Sequence, residues 1–92
     1  MGSSPTSGSM PVFTYLLKSL KDGSFYVGIT SDLNKRLEYH NSGYLKSTAI
    51  KRPYILVYFK SHTNYEDARK HEKWLKKKNR IYKEKLTQLA PP

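Results

Sequence analysis

Glu72 lies in the stretch ARKHEKWLKKK, where helical spacing sets it on one stripe with Tyr65, Ala68 and Leu75 at i, i+3, i+7 and i+10. A carboxylate on an otherwise apolar face is costly unless paired, so this position calls for a cation, either a divalent metal or a neighbouring lysine. Arg36 and His40 recur at i, i+4 beside a Leu33/Leu37 stripe. That spacing lets both side chains address one point at the edge of the core, and a solvated helix face is the plainer use of the same pattern. Tyr15 and Tyr26 fall in two runs rich in β-branched and aromatic residues, with Gly28 close by. Packing alone would also place tyrosines there. The residue types are those that hold a cation, neutralise an anion and move a proton.

The elements that must position these groups follow from the hydrophobic pattern. Val12–Ser19 and Ser24–Thr30 read as the strands of a hairpin with Asp22-Gly23 as a two-residue turn. That turn sets Ser19 opposite Tyr26, Leu17 opposite Gly28 and Tyr15 opposite Thr30. Tyr15 and Tyr26 then share a face, and Gly28, diagonal to Tyr15, leaves an open slot between them. The other face carries Leu16, Phe25, Val27 and Ile29 as core. Ser31-Asp32 caps a helix running from about Asp32 to Asn41, which Asn41-Ser42-Gly43 stops. Tyr44–Pro53 reads as a surface loop and Tyr54–Phe59 as a buried central strand. A capping box over Thr63–Glu66 opens a helix from Asn64 to about Lys78. Asn79 caps a last helix, Ile81–Leu89, packed through Ile81, Leu86 and Leu89. The expected fold is α+β: a small three-stranded, mainly antiparallel sheet flanked by helices, in the order β-β-α-β-α-α.

Composition narrows the partners. Among 92 residues, 17 Lys+Arg face 7 Asp+Glu, a formal charge of +10 that attracts polyanions, nucleic acid first and an acidic membrane surface second. From Arg69 to Lys85 there are nine Lys/Arg, partly balanced by Glu72 and Glu84, a sign imbalance that favours phosphate contact over base reading. The absence of cysteine excludes disulfides and thiolate metal sites. No Gly-rich phosphate loop is present, and His40, His62 and His71 lack zinc-ligand spacing. No stretch approaches the roughly 20 apolar residues of a membrane span, and no signal-peptide core is present, so a cytoplasmic protein with no membrane partner is expected. Residues 1–9 (MGSSPTSGS) read as an added leader, 10–89 as a single domain and 90–92 as a tail.

Taken as an ordered set, Tyr15, Tyr26, Gly28, Arg36, His40 and Glu72 resemble the GIY-YIG nuclease family. That family includes the incision module of bacterial excision repair, some homing and restriction endonucleases, and small stand-alone bacterial proteins. Phe13-Thr14-Tyr15 stands at the first half of the motif and Tyr26-Val27-Gly28 at the second. Phe13 and Thr14 replace Gly and Ile, and Val27 replaces Ile, so the departures remove no catalytic group.

The resemblance implies metal-dependent hydrolysis of a phosphodiester in nucleic acid, DNA before RNA. In that reading Glu72 holds Mg²⁺ or Mn²⁺, Arg36 neutralises charge on the phosphate, and Tyr15 is the general base, its pKa lowered by the metal and nearby cations. Tyr26 and His40 orient Tyr15, the water or the phosphate. Gly28, Lys73, Lys76 and Lys77 complete the expected site as substrate-binding residues. The alternative is a catalytically inactive, basic nucleic-acid-binding module on the same scaffold.

Overall fold

A computed structural model describes residues 11–89, so the leader assigned to residues 1–9 and the tail 90–92 lie outside the described residues. Runs of β-branched and aromatic residues form β1 (Val12–Ser19) and β2 (Phe25–Thr30). These are followed by α1 (Leu33–Asn41), α2 (Lys46–Ala49), β3 (Tyr54–His62), α3 (Tyr65–Lys76) and α4 (Arg80–Leu89). The three strands make one antiparallel sheet in the order β2-β1-β3. This is the expected α+β arrangement, with the one-turn helix α2 added inside the stretch expected to be a surface loop. No helix among the described residues is long and apolar enough to cross a membrane.

The centre of the sheet belongs to β1, buried without a break from Thr14 to Leu17. The Tyr54–Phe59 run, expected as the central strand, is an edge strand, and it continues to His62 with Ile55 and Phe59 exposed. An apolar run reports burial but does not name the strand's neighbours. Here β1 takes both sets of partners, and the β1–β3 register slips between Leu16 and Leu17, leaving Val57 unpaired. This bulge turns Val57 and Tyr58 alike toward the face covered by α3.

The hairpin register also differs from expectation. Tyr15 pairs with Gly28 and Leu17 with Tyr26, a shift of two residues. The loop runs from Leu20 to Gly23, closed by Ser19 N–H donating to the Ser24 carbonyl at 2.8 Å and Gly23 N–H to the Ser19 carbonyl at 2.9 Å. Ser19 Oγ, buried, accepts the amides of Lys21 and Asp22 at 3.1 and 3.2 Å, and this local bonding holds a longer loop than the Asp-Gly pair alone would form. Gly23 supplies the left-handed residue, at φ 77°. Because the shift is even, every side chain keeps its expected face.

Both faces of the sheet are buried, not one. Leu16, Val27, Val57 and Leu75 form a core under α3 and α4, joined by Phe25, Tyr58, Tyr82 and Leu86. On the other face Tyr15, Leu17 and Tyr54 pack with Tyr26, Leu33, Leu37 and Leu56, under α1. Asp32 caps α1 as expected, accepting Lys35 N–H at 3.1 Å. The α3 cap is Asn64, not Thr63, and it accepts Asp67 N–H at 2.8 Å. Asn79 caps α4 through Tyr82 N–H at 2.9 Å. Tyr65 and Ile81 are exposed, contrary to their place in the periodic pattern. At α4 the core position goes to Tyr82, whose ring meets Trp74 edge-on at 5.6 Å, while Leu86 packs as expected and the Leu89 side chain lies outside the described residues.

Leu75→Ala is expected to destabilise the fold by about 2–5 kcal/mol, because Leu75 is fully buried between α3 and the sheet. Ile81→Ala should change stability by no more than about 0.5 kcal/mol. Urea denaturation of the two variants beside the parent checks both values.

Candidate active site

Gly28 is where the site begins. It faces Tyr15 across the β1–β2 ladder, and a Cβ at this position would overlap the Tyr15 hydroxyl and stand 2.5 Å from its Cζ. With only hydrogen there, the Tyr15 ring lies across β2 and fills the slot that the sequence pattern left open. Tyr15 is 3% exposed, and its hydroxyl meets His40 Nε2 at 3.1 Å. His40 enters from the last turn of α1, is 1% exposed, and places its Nδ1 3.2 Å from Thr48 Oγ1. The rings of Tyr26, Tyr39, Tyr54 and Tyr15 enclose the imidazole at centroid separations of 4.6, 5.8, 6.0 and 6.1 Å. Tyr26 lies beside Tyr15 at 6.4 Å with the rings 26° apart.

Backbone anchoring holds this cluster in place. Asn41, at the end of α1, donates from Nδ2 to the Tyr54 carbonyl at 3.0 Å and accepts Tyr54 N–H on Oδ1 at 2.6 Å. One amide side chain therefore satisfies both backbone groups of the first β3 residue and ties α1 to the sheet edge. The helix α2 brings Thr48 into the interior, where it is 1% exposed.

Arg36 and Glu72 lie on different elements, α1 and α3. Arg36, one helical turn before His40, lies 5.2 Å from the Tyr39 ring centroid and lines an open groove with Thr30, Asp32, Lys35 and Tyr39. Glu72, on α3, is largely covered, its side chain 18% exposed, and pairs with Lys76 at 3.4 Å. The Tyr15 hydroxyl is within electrostatic reach of both. Burial chiefly pushes it well above the ordinary value of 10.0, Tyr26 pushes the same way, Arg36 opposes, and Glu72 adds to the rise. The cation expected to lower Tyr15 is thus present as Arg36 but is outweighed by burial. His40 is displaced below the ordinary 6.5, by burial first and by Arg36 second. At neutral pH the pair is a phenol beside a neutral imidazole.

Over residues 11–85 the chain matches the family model of the GIY-YIG catalytic domain. The chain belongs to the GIY-YIG family. It is 39% identical over 75 residues to a UPF0213 protein of Streptococcus pneumoniae serotype 4, covering 80% of this chain and 75% of that one. It is 40% identical over 73 residues to the UPF0213 protein YazA of Bacillus subtilis, covering 78% and 73%. The solution NMR structure of a UPF0213 protein from Bacillus halodurans superposes with a TM-score of 0.53 at 36% identity, over 87% of this chain and 85% of that one. These stand-alone bacterial relatives agree with the family read from the ordered tyrosine, arginine, histidine and glutamate positions.

Within this GIY-YIG fold, the rings of Tyr15, Tyr26 and His40 cluster together, and Arg36 and Glu72 act electrostatically on Tyr15. Gly28, expected to bind substrate, is buried beneath Tyr15, and its part is to admit the ring. Lys76 is engaged by Glu72, while Lys73 and Lys77 are exposed. Trp74 is 39% exposed, stacked on His71 at 5.0 Å and with Lys78 over its ring at 4.9 Å. Sequence reasoning missed two residues of the site. Asn41 was read only as a helix stop, although Asn near a helix end can also bond backbone across a gap. Thr48 lies in a Ser/Thr/Lys-rich stretch with no periodicity, which carries no signal of burial.

Gly28→Ala is expected to displace the Tyr15 ring and to destabilise the fold by about 1–3 kcal/mol, measured by urea denaturation. A second outcome concerns pH. A histidine whose pKa is lowered by folding is bound by fewer protons in the native chain than in the unfolded one, so its stabilising contribution is complete above 6.5 and is lost as pH falls through the folded value. The urea midpoint should therefore fall between about pH 7.5 and about pH 5, and His40→Gln should flatten that fall.

Proposed function

We propose that this protein is a divalent-metal-dependent endonuclease that hydrolyses phosphodiester bonds in DNA. The reading is carried by one observation: the Tyr15 hydroxyl has a neutral imidazole at 3.1 Å and lies within the fields of one arginine and one carboxylate from separate elements. A buried phenol with these neighbours is equipped to deliver and receive a proton beside an anionic ester. Tyr15 is the general base for the attacking water, and Tyr26 borders the same space. Arg36, beside the groove it lines with Lys35 and Tyr39, neutralises charge growing on the non-bridging oxygens, which is worth several kcal/mol where water is excluded.

Glu72 is the residue to hold the metal. It contributes one carboxylate, and among the described residues no three His, Cys, Asp or Glu stand together as a metal-ligating group. Such a donor set suits an ion that completes its shell with water and phosphate oxygens, Mg²⁺ or Mn²⁺, and not one enclosed by protein ligands. When bound, the ion supplies the positive charge that polarises the scissile phosphate and stabilises the leaving oxygen. Lys76, more than half exposed at 57%, is free to swing from Glu72 toward a phosphate. With Lys73 and Lys77 it lines α3 and its end with positive charge for the nucleic-acid backbone.

Supercoiled plasmid incubated with Mg²⁺, Mn²⁺ or EDTA provides the test. Nicking is expected with either metal and not with EDTA, and Glu72→Ala, Arg36→Ala and Tyr15→Phe should each lower the rate by roughly a hundredfold or more. Wild-type protein that binds DNA in a salt-sensitive way, fails to cut DNA or RNA with any metal, and binds equally well as Glu72→Ala would instead be an inactive binding module.

A further inference from the structure

The His40 side chain has two ring nitrogens and a different partner on each. Nε2 faces the Tyr15 hydroxyl at 3.1 Å, and Nδ1 faces Thr48 Oγ1 at 3.2 Å. A neutral imidazole donates from one nitrogen and accepts on the other, so one of these two bonds dictates the direction of its opposite. The Thr48 hydroxyl favours one of the two directions. Its proton has an acceptor of its own in the Leu45 carbonyl, 3.2 Å away across the single turn of α2, a carbonyl that also takes the Thr48 and Ala49 amides. With its proton on Leu45, Thr48 Oγ1 presents lone pairs to His40, so that Nδ1 carries the proton and Nε2 keeps its lone pair toward Tyr15. The chain of bonds then runs in one direction, from Tyr15 O–H to Nε2, from Nδ1–H to Thr48, and from Thr48 O–H to Leu45. Tyr15, His40 and Thr48 are buried, and no buried side-chain nitrogen or oxygen among the described residues lacks a partner.

We propose that Thr48 is a positioning residue for the hydrolysis, locking His40 in the tautomer that accepts the Tyr15 proton. The inference rests on the reading of this site as a phosphodiester hydrolase for its consequence, though not for its geometry. In the reaction the Tyr15 O–H bond breaks and an Nε2–H bond forms, giving a phenolate and an imidazolium whose Nδ1–H stays on Thr48. The phenolate takes a proton from water as that oxygen attacks phosphorus, and the leaving oxygen departs with the electron pair of the P–O bond. The leaving oxygen takes a proton from water, and His40 hands its proton back to the Tyr15 oxygen as Tyr15 passes the one it took to the hydroxide that remains, so the proton count closes. Without the Thr48 hydroxyl, His40 is released to the opposite tautomer, in which Nε2–H donates to Tyr15 and the phenol proton has no acceptor. In this arrangement α2 exists to deliver one hydroxyl.

The tautomer is read directly by long-range ¹H–¹⁵N correlation of ¹⁵N-histidine-labelled protein without metal or substrate, at about pH 8, where an imidazole with an ordinary or lowered pKa is neutral. Wild type and Thr48→Ser are expected to show His40 protonated on Nδ1. Thr48→Val, which keeps the shape and removes the hydroxyl, should shift His40 toward Nε2–H and lower the nicking rate by roughly ten- to a hundredfold, with Thr48→Ser restoring it and DNA affinity unchanged in both. A wild-type His40 protonated on Nε2 overturns the proposal, as does a folded Thr48→Val that keeps both the wild-type tautomer and the wild-type rate. Failure of wild type itself to cut DNA or RNA strikes the hydrolase reading, whereas the spectrum still decides the tautomer.

Discussion

A tyrosine buried in the middle strand, with its hydroxyl on a buried histidine, is the arrangement on which the rest of this molecule depends. Tyr15 lies flat over β2 only because Gly28 has no side chain, and its hydroxyl is satisfied only because His40 is carried to it by α1. His40 in turn needs Thr48 from α2, and α1 needs Asn41 to bind the backbone of Tyr54 at the sheet edge. A fully bonded polar network in a low-dielectric interior specifies a single geometry, whereas a half-bonded one would be a burden on the fold. Here every described member of the network has its partner.

The division of labour between the two faces of the sheet follows from this. Under α3 and α4 the core is aliphatic with aromatic edges, held by Leu16, Val27, Val57 and Leu75, and it supplies apolar burial without titratable groups at its centre. The other face is also a core, but one built of tyrosines around an imidazole, so the same side chains that exclude water also bear ionisable groups. The exclusion of water makes Tyr15 a weak acid in the free protein and strengthens each charge that acts on it. Arg36 and Glu72, on separate helices, act on Tyr15 with opposite sign.

Much of this was legible in the residues. Strands, helices and caps follow from runs and periodicity, and Tyr15, Tyr26, Arg36, His40 and Glu72 stood out as an ordered set. The hairpin register did not, because Ser19 captures two loop amides, yet the two-residue slip left the faces intact, which is why the site survived the error. The run Tyr54–Phe59 could not disclose that it forms an edge or that a bulge at Val57 breaks its alternation, since both depend on pairing with β1. Thr48 was invisible for a similar reason. Its burial is decided by contact with His40 across the fold, and no local pattern records that contact. Tyr65 and Ile81 show the converse, apolar positions with the right spacing and nothing to pack against.

The account stands on Tyr15 being a buried phenol that gives its proton to His40, and the state of that phenol can be measured. In protein labelled with ¹³C at the tyrosine Cζ, with Tyr15→Phe used to assign its resonance, the Tyr15 signal should remain that of the protonated ring as pH is raised past the ordinary tyrosine value of 10.0, because burial opposes the phenolate. A Tyr15 resonance that titrates at or below that value would contradict the account, for it would mean that the ring is solvated or that its proton is not held between Tyr15 and His40.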